Sequence, residues 1–328
     1  MKAFFSTAVK GSVLGASLLL HTLAWAEPPL SEREARQVMA DEEDAEMASV
    51  PAGGITGLVE RIRTGSSQIV SDTYQRVAEA VNVSARNALV MDSATGKVLY
   101  GKGADTPVPI ASITKLMTAM VVADARLDMA APIVLEGSDF EAVRGKNSSS
   151  KLRVGDRMNR AEALLLALMK SENPAAKSLA RTYPGGVPAF VAAMNAKARA
   201  LGMTTAFFGD PTGLDTRNVA SPRDLAKMVS AAYEYGVIRQ FSTQQSYDFD
   251  LGNRILSAHN TNALVRDGGW NIGLSKTGYI SEAGRCVVMQ AQVNRHPAVI
   301  VLMGANTSQG RTYDASRILS WLGEKFTQ

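Results

Sequence analysis

Three short clusters in this 328-residue sequence bring nucleophilic, basic and polar side chains together at spacings that suit acyl chemistry. Ser112-Ile113-Thr114-Lys115 separates a hydroxyl and an amine by three residues, so on a helix the two share a face and can touch. A serine hydroxyl is barely ionised at neutral pH and needs a base beside it. Lysine serves as that base only when neutral, which requires burial or a nearby positive charge to lower its pKa. Ser171-Glu172-Asn173 follows an apolar run ending at Met169, a setting for a turn that projects side chains into a cleft. Taken alone it reads as the polar end of a helix. Lys276-Thr277-Gly278 lies in a strand-like run with Ile272, Leu274 and Tyr279. Glycine in a strand lets a ligand backbone come close, and lysine with threonine suits a carboxylate. A second Ser-x-x-Lys match, Ser148 to Lys151, sits in the polar loop Gly145 to Lys151 with no buried helix to shield its lysine, and is set aside.

The elements that must position these clusters are legible from periodicity. Ala88 to Met91 and Val98 to Tyr100, separated by Asp92 to Lys97, read as a β-hairpin. Pro107-Val108-Pro109 forces extended backbone just ahead of Ser112. Leu116, Met117, Met120 and Val121 repeat at helical spacing, which predicts a buried helix with Ser112 at or near its start. Asn159 and Glu162 have the spacing of a capping box opening a helix over Ala161 to Met169. Val187 to Leu201 is a second helix closing on Gly202, and Ser221-Pro222-Arg223-Asp224 starts a third that runs to Tyr235 and stops at Gly236. Asn271 to Ile280, Arg285 to Val293 and Ala298 to Gly304 change to strand period, before a closing helix over Arg311 to Phe326. Strands at both ends of a helical middle predict an α/β (α+β) fold. Its antiparallel sheet, flanked by helices, pairs the first hairpin with the late strands, and the helical middle forms an inserted lobe.

Residues 1–26 are set aside as an export signal. Lys2 and Lys10 precede a small or apolar run from Gly11 to Leu20, and Ala24-Trp25-Ala26 supplies a cleavage site before Glu27. No later stretch has the ~20 apolar residues of a spanning helix, so the expected location is the periplasm, with no stable membrane anchor after cleavage. Residues 27–82 read as a flexible leader segment and 83–328 as the folded domain. Loss of Lys2 and Lys10 lowers the formal charge from +4 to about +2, and with no basic run nucleic acid drops out as a partner. The single cysteine, Cys286, excludes an internal disulfide and, inside Cys-Val-Val-Met, reads as a buried structural thiol. Neither a His-Glu-x-x-His zinc signature nor a Gly-x-Ser-x-Gly elbow is present. No cofactor or metal is expected. His259 is read as structural, His296 as an exposed turn residue, and Trp270 with Tyr279 as core or cleft-wall packing.

Ser-x-x-Lys, Ser-x-Asn and Lys-Thr-Gly in this chain order form the signature of penicillin-recognising serine enzymes. Pro109 to Ala119, Pro211-Thr212-Gly213-Leu214 and Asn260-Thr261-Asn262 resemble the low-molecular-mass D-alanyl-D-alanine peptidases. Leu166 to Met169, Tyr183-Pro184-Gly185-Gly186 and Trp270-Asn271-Ile272 are similar to the endopeptidase branch of that family. The resemblance spans about Asn87 to Gln328 and implies a β-lactamase/DD-peptidase-like fold. By position it makes Ser112 the nucleophile, attacking the carbonyl on the C-terminal side of a D-alanine. Lys115 takes the serine proton and Ser171 relays a proton to the leaving amine. Asn173 holds the substrate amide and helps place Lys115, Lys276 supplies positive potential, and Thr277 binds the substrate carboxylate beside Gly278. The backbone N–H groups of Ser112 and Tyr279 form an oxyanion hole, worth about 3 kcal/mol per donor. Lys276 near Lys115 is expected to help keep the latter neutral. The implied partners are peptidoglycan stem peptides and cross-links, with β-lactams as covalent inhibitors.

Within the family, carboxypeptidases trim a terminal D-alanine and endopeptidases cut the cross-link between two stems. Carboxypeptidases often carry a C-terminal β-rich domain and an amphipathic anchor. Gln328 follows closely on the last expected helix, so the expectation is a cross-link endopeptidase. Serine β-lactamases share the motifs but need fast deacylation, which in one class depends on an added glutamate. Neither Glu234 nor Glu282 sits in a segment resembling that element. The remaining alternative, a non-catalytic peptidoglycan-binding module, does not require the intact set of Ser112, Lys115, Ser171, Asn173, Lys276 and Thr277.

Overall fold

The computed structural model describes residues 81–147 and 149–327. The expected signal peptide, nearly all of the leader segment, and Ser148 lie outside them. Hairpin β1 (Asn87–Asp92) and β2 (Val98–Lys102) comes first. Strand β3 (Val108–Pro109) and a 3-10 turn (Ala111–Ile113) then lead into α1 (Thr114–Asp124). Residues Thr114 to Val122 are all buried, so α1 is a core helix with no solvent face over those turns. Strands β4 (Pro132–Val134) and β5 (Arg157–Asn159) pair, and α2 (Arg160–Leu165) follows. The capping box is formed: the Glu162 N–H donates to Asn159 Oδ1 and the Asn159 N–H to Glu162 Oε2, both at 2.8 Å. Such a cap is worth about 1 kcal/mol. Helix α2 widens into a π turn over Leu166–Lys170, followed by α3 (Asn173–Arg181) and α4 (Gly186–Ala200). Strand β6 (Val219–Ala220) returns to pair with β3, which makes the intervening segment an inserted lobe.

Helix α5 (Pro222–Tyr233) is capped by Ser221 as expected. Gly236, read as its stop, instead opens α6 (Gly236–Ser242). Ile238 is buried and Val237 and Phe241 pack against the core, so burial restarts the helix that local propensity had ended. Next come the hairpin β7 (Ser246–Asp250) and β8 (Ile255–His259), then the single turn α7 (Ala263–Arg266). The chain closes with β9 (Ile272–Ile280), β10 (Gly284–Val293), β11 (His296–Ala305) and α8 (Ser308–Lys325).

The main sheet has the order β2-β1-β11-β10-β9, antiparallel throughout. Its strands sort their side chains by the period of two. Val287, Met289 and Ala291 of β10, with Ala298, Ile300 and Leu302 of β11, pack with Ile318, Leu319 and Leu322 of α8. Cys286, Val288, Val299, Val301 and Met303 point the other way, into the core shared with α1, α3 and α5. Covered on both faces, these strands read as continuous apolar runs. The Asp314 carboxylate accepts from the N–H groups of Ser84 (3.0 Å) and Ala85 (2.9 Å) and the Ser84 hydroxyl (2.8 Å), tying α8 to the segment before β1. The Cys286 thiol is buried and its pKa is pushed up to about 11, as its apolar surroundings require. His259 is exposed, and the exposed His296 ring stacks on Phe326 at 4.4 Å.

Candidate active site

Strand β9 forms one edge of the sheet and lies against the 3-10 turn that carries Ser112. The approach is close enough that a Cβ on Gly278 would meet the Ser112 nitrogen at 3.0 Å. Ala111, just before the serine, has φ +48°, and Gly213 lies against it at φ +87°. A Cβ on Gly213 would fall 1.9 Å from the Ala111 carbonyl oxygen, so no other residue fits there. Left-handed geometry at a residue with a Cβ costs ~1–2 kcal/mol. At Ala111 its surroundings impose it on the residue preceding the hydroxyl. The π turn ends the same way, with Ser171 at φ +65°. Pro174 then lies in the first turn of α3, so Ser171 and Asn173 stand on a sharp bend between two helices.

These elements converge on two lysines. Lys115 is fully buried, and its Nζ donates to Asn173 Oδ1 (2.6 Å), the Thr212 carbonyl (2.8 Å) and Ser112 Oγ (2.9 Å). As an ammonium it fills all three acceptors. As a neutral amine it keeps two N–H donors for Asn173 and Thr212, which turns its lone pair toward the serine hydroxyl. Burial lowers its pKa to about 7, while Asp210 and Glu172 pull in the opposite direction. Lys276, 1% exposed, donates to Ser171 Oγ and to the Thr277 carbonyl, both at 2.8 Å. Burial also pushes its pKa well down, aided by Lys115 and Arg311. Burial is the largest cause for both lysines, and the mutual repulsion of the two ammonium groups opposes charging both at once, in the direction expected of Lys276 beside Lys115. Thr277 Oγ1 bonds Thr261 Oγ1 at 2.6 Å.

All the expected site residues gather here: Ser112, Lys115, Ser171, Asn173, Lys276, Thr277 and Gly278, with the backbone of Tyr279 next on β9. The Tyr279 side chain lies outside the core, which leaves the cleft-wall half of its reading. It is 51% exposed and lies under the Arg285 guanidinium, 3.6 Å from the ring centroid. Such a set can activate one hydroxyl, hold an acyl group and present positive charge to an anion.

The profile of the S11 peptidases, described as D-alanyl-D-alanine carboxypeptidase, matches residues 73–307. The chain belongs to this family. It is a serine D,D-peptidase, a hydrolase, with the α/β architecture of that group. It is 47% identical over 238 residues to a D-alanyl-D-alanine endopeptidase of Pseudomonas aeruginosa, covering 72% of this chain and 76% of that one. With a D-alanyl-D-alanine endopeptidase of Escherichia coli it shares 42% identity over 247 residues, 75% of this chain and 79% of the other. The crystal structure of the Streptomyces K15 DD-transpeptidase superposes with a TM-score of 0.68 at 28% identity, covering 73% of this chain and 97% of that one.

The D,D-peptidase site also holds residues to which sequence reasoning gave no role. The Asp210 carboxylate gathers the N–H groups of Thr212 (2.9 Å), Gly213 (3.0 Å) and Asp215 (3.3 Å), fixing the carbonyl that Lys115 uses. Asn218 Nδ2 donates to Thr114 Oγ1 (3.0 Å) and to the Asp210 carbonyl (2.9 Å), joining this knot to α1. Glu172 is buried beside Lys115, its pKa raised by burial, and accepts from Ser150 Oγ at 2.5 Å. Arg311 is 7% exposed in the first turn of α8, whose N-cap is Thr307. A cation there opposes the helix dipole. That misplacement, beside a readable Thr-Ser start at 307, is the sequence signal that Arg311 is not placed there to stabilise the helix.

Proposed function

We propose that this D,D-peptidase is a cross-link endopeptidase working through an acyl-enzyme on Ser112. The observation that carries the reading is the seat of Lys115, where two obligate acceptors hold two N–H groups and leave the third direction to Ser112, with a pKa of about 7. Lys115 takes the Ser112 proton as Oγ bonds to the D-alanine carbonyl carbon. The resulting oxyanion lies between the N–H groups of Ser112 and Tyr279. The C–N bond then breaks, and the leaving amine receives a proton through Ser171. Water adds to the acyl carbon and restores the Ser112 hydroxyl, releasing the carboxylic acid. Asn173 orients Lys115 and the substrate amide. Thr277, Lys276 and Arg311 receive the carboxylate beside the scissile bond, and Arg311 supplies the firmest charge because a guanidinium stays protonated where a buried lysine does not. β-Lactams acylate the same hydroxyl.

The choice of cross-links over terminal D-alanine is supported by the 47% and 42% identity to proteins named endopeptidases, against 30% for proteins named carboxypeptidases. Export to the periplasm is supported by the leader at residues 1–26, and no helix of the described residues is long and apolar enough to cross a membrane. The test is digestion of cross-linked sacculi followed by mass spectrometry of the muropeptides, with a penicillin-blocked control. D-Ala-linked dimers convert to tetrapeptide monomers if the reading holds. Untouched dimers, with pentapeptides losing one D-alanine, would make the enzyme a carboxypeptidase.

A further inference from the structure

Beside the Lys-Thr-Gly strand the surface opens into a cleft of about 720 Å³ between Thr261 and α7 on one side and the first turns of α8 on the other. Thr261 joins it to the reaction centre, since its hydroxyl bonds that of Thr277 at 2.6 Å. Two arginines line it, Arg266 and Arg311, and no lining residue is acidic. Arg311 is 7% exposed, and among the described residues its guanidinium has no hydrogen-bond or ion-pair partner. Buried charges ordinarily carry a partner, so a cleft lined by this guanidinium and by no acid suits an anionic ligand. Farther out, Tyr313 stands 64% exposed beside Gln309, offering a ring and an amide to a passing chain. The space exceeds the needs of one terminal amino acid and falls within the ~300–1,000 Å³ of sites that enclose larger ligands.

We infer that this cleft is the subsite for the leaving stem, a peptide with more than one carboxylate, and that Arg266, Gln309 and Tyr313 bind it beyond the residue whose amine is released. The inference rests on the endopeptidase reading. A carboxypeptidase releases a single amino acid and has no use for the outer part of the cleft. A cross-link endopeptidase releases a whole stem, whose second carboxylate meets Arg266 while its backbone crosses Tyr313. Binding there favours dimers over pentapeptides without touching the reacting atoms.

The test compares the full-length protein with Arg266→Glu and Tyr313→Ala, using a purified cross-linked muropeptide dimer as substrate and penicillin G acylation as the second readout. Arg266→Glu is expected to raise KM for the dimer about tenfold and Tyr313→Ala about threefold. Acylation by penicillin G, too small to reach the outer cleft, changes less than twofold, which also certifies the fold of each variant. Free tetrapeptide should inhibit penicillin acylation of the parent more strongly than that of Arg266→Glu. Unchanged KM in both variants, with the parent cleaving dimers, overturns the subsite alone. A parent that acylates but leaves dimers intact overturns the endopeptidase reading and the subsite with it.

Discussion

Two serine–lysine pairs lie close together in the site. Their geometry is nearly the same and their surroundings differ. Lys115 Nζ lies 2.9 Å from Ser112 Oγ, and Lys276 Nζ lies 2.8 Å from Ser171 Oγ. Both lysines are buried, and burial is the largest cause lowering each pKa. The first pair sits at the start of a core helix, on the Asp210 knot, with two carboxylates bearing on its lysine. The second bridges an edge strand and a helix bend, and its lysine feels only cations. Acids that partly offset desolvation leave Lys115 near neutrality, where a base for pH 7 must titrate. Without such an offset, Lys276 can orient a hydroxyl and face an anion. Its own proton balance is set by whatever binds. Distance alone does not separate the two pairs; the neighbouring charges do.

The largest effects should come from the first pair. Ser112→Ala is expected to abolish covalent labelling by fluorescent penicillin, and Lys115→Ala to slow acylation ~10²–10⁴-fold, the range of a lost general base. Persistent labelling of Ser112→Ala would remove the basis for calling this pair the reactive one. The second pair should cost less and in a different way. Lys276→Ala is expected to lower acylation ~10²-fold, as for one lost electrostatic contact. The pH limb should move by well under a unit, because burial is the largest cause of the low Lys115 pKa and remains in the variant. A limb displaced by a full unit would show that the two lysines titrate as one system.

The two pairs also differ in how far they could be read in advance. Ser112 and Lys115 are three residues apart on one helix, so the contact follows from helical geometry. Ser171 and Lys276 are 105 residues apart. Their meeting depends on the sheet order and on a left-handed serine, neither of which a local pattern specifies. The outer hairpin, the three late strands and the capped helices were legible because each has a clean period or a cap. Helix α6 was missed because glycine at 236 argues for a stop and only tertiary burial overrides it. Strands β7 and β8 were missed because β7 buries only Phe249 and the exposed Ile255 sits beside Leu256 and blurs its alternation with Ala258, in a segment dense with Ser, Gln and Asn. The Asp210 knot was invisible for another reason. Its bonds run mostly to backbone N–H groups within five residues, and an aspartate before Pro-Thr-Gly looks like any turn.

The smallest expected effect tests the charges that separate the pairs. If neutral Lys115 is the base, the acylation rate rises with pH as the ammonium loses its proton, with a midpoint near the pKa of about 7. The Glu172 carboxylate stabilises the ammonium and so holds that pKa up. Glu172→Gln removes the negative charge but keeps an oxygen to accept from Ser150, whose hydroxyl stands 2.5 Å from Glu172 Oε2. The limb should therefore move to lower pH, by ~0.5 unit or about 0.7 kcal/mol. The variant would then acylate up to about threefold faster than the parent at pH 6, and equally fast at pH 9. A limb that moved upward would reverse the sign of the argument and make Glu172 a structural partner of Ser150 alone. An unmoved limb would leave Asp210 as the one acid that keeps Lys115 apart from Lys276.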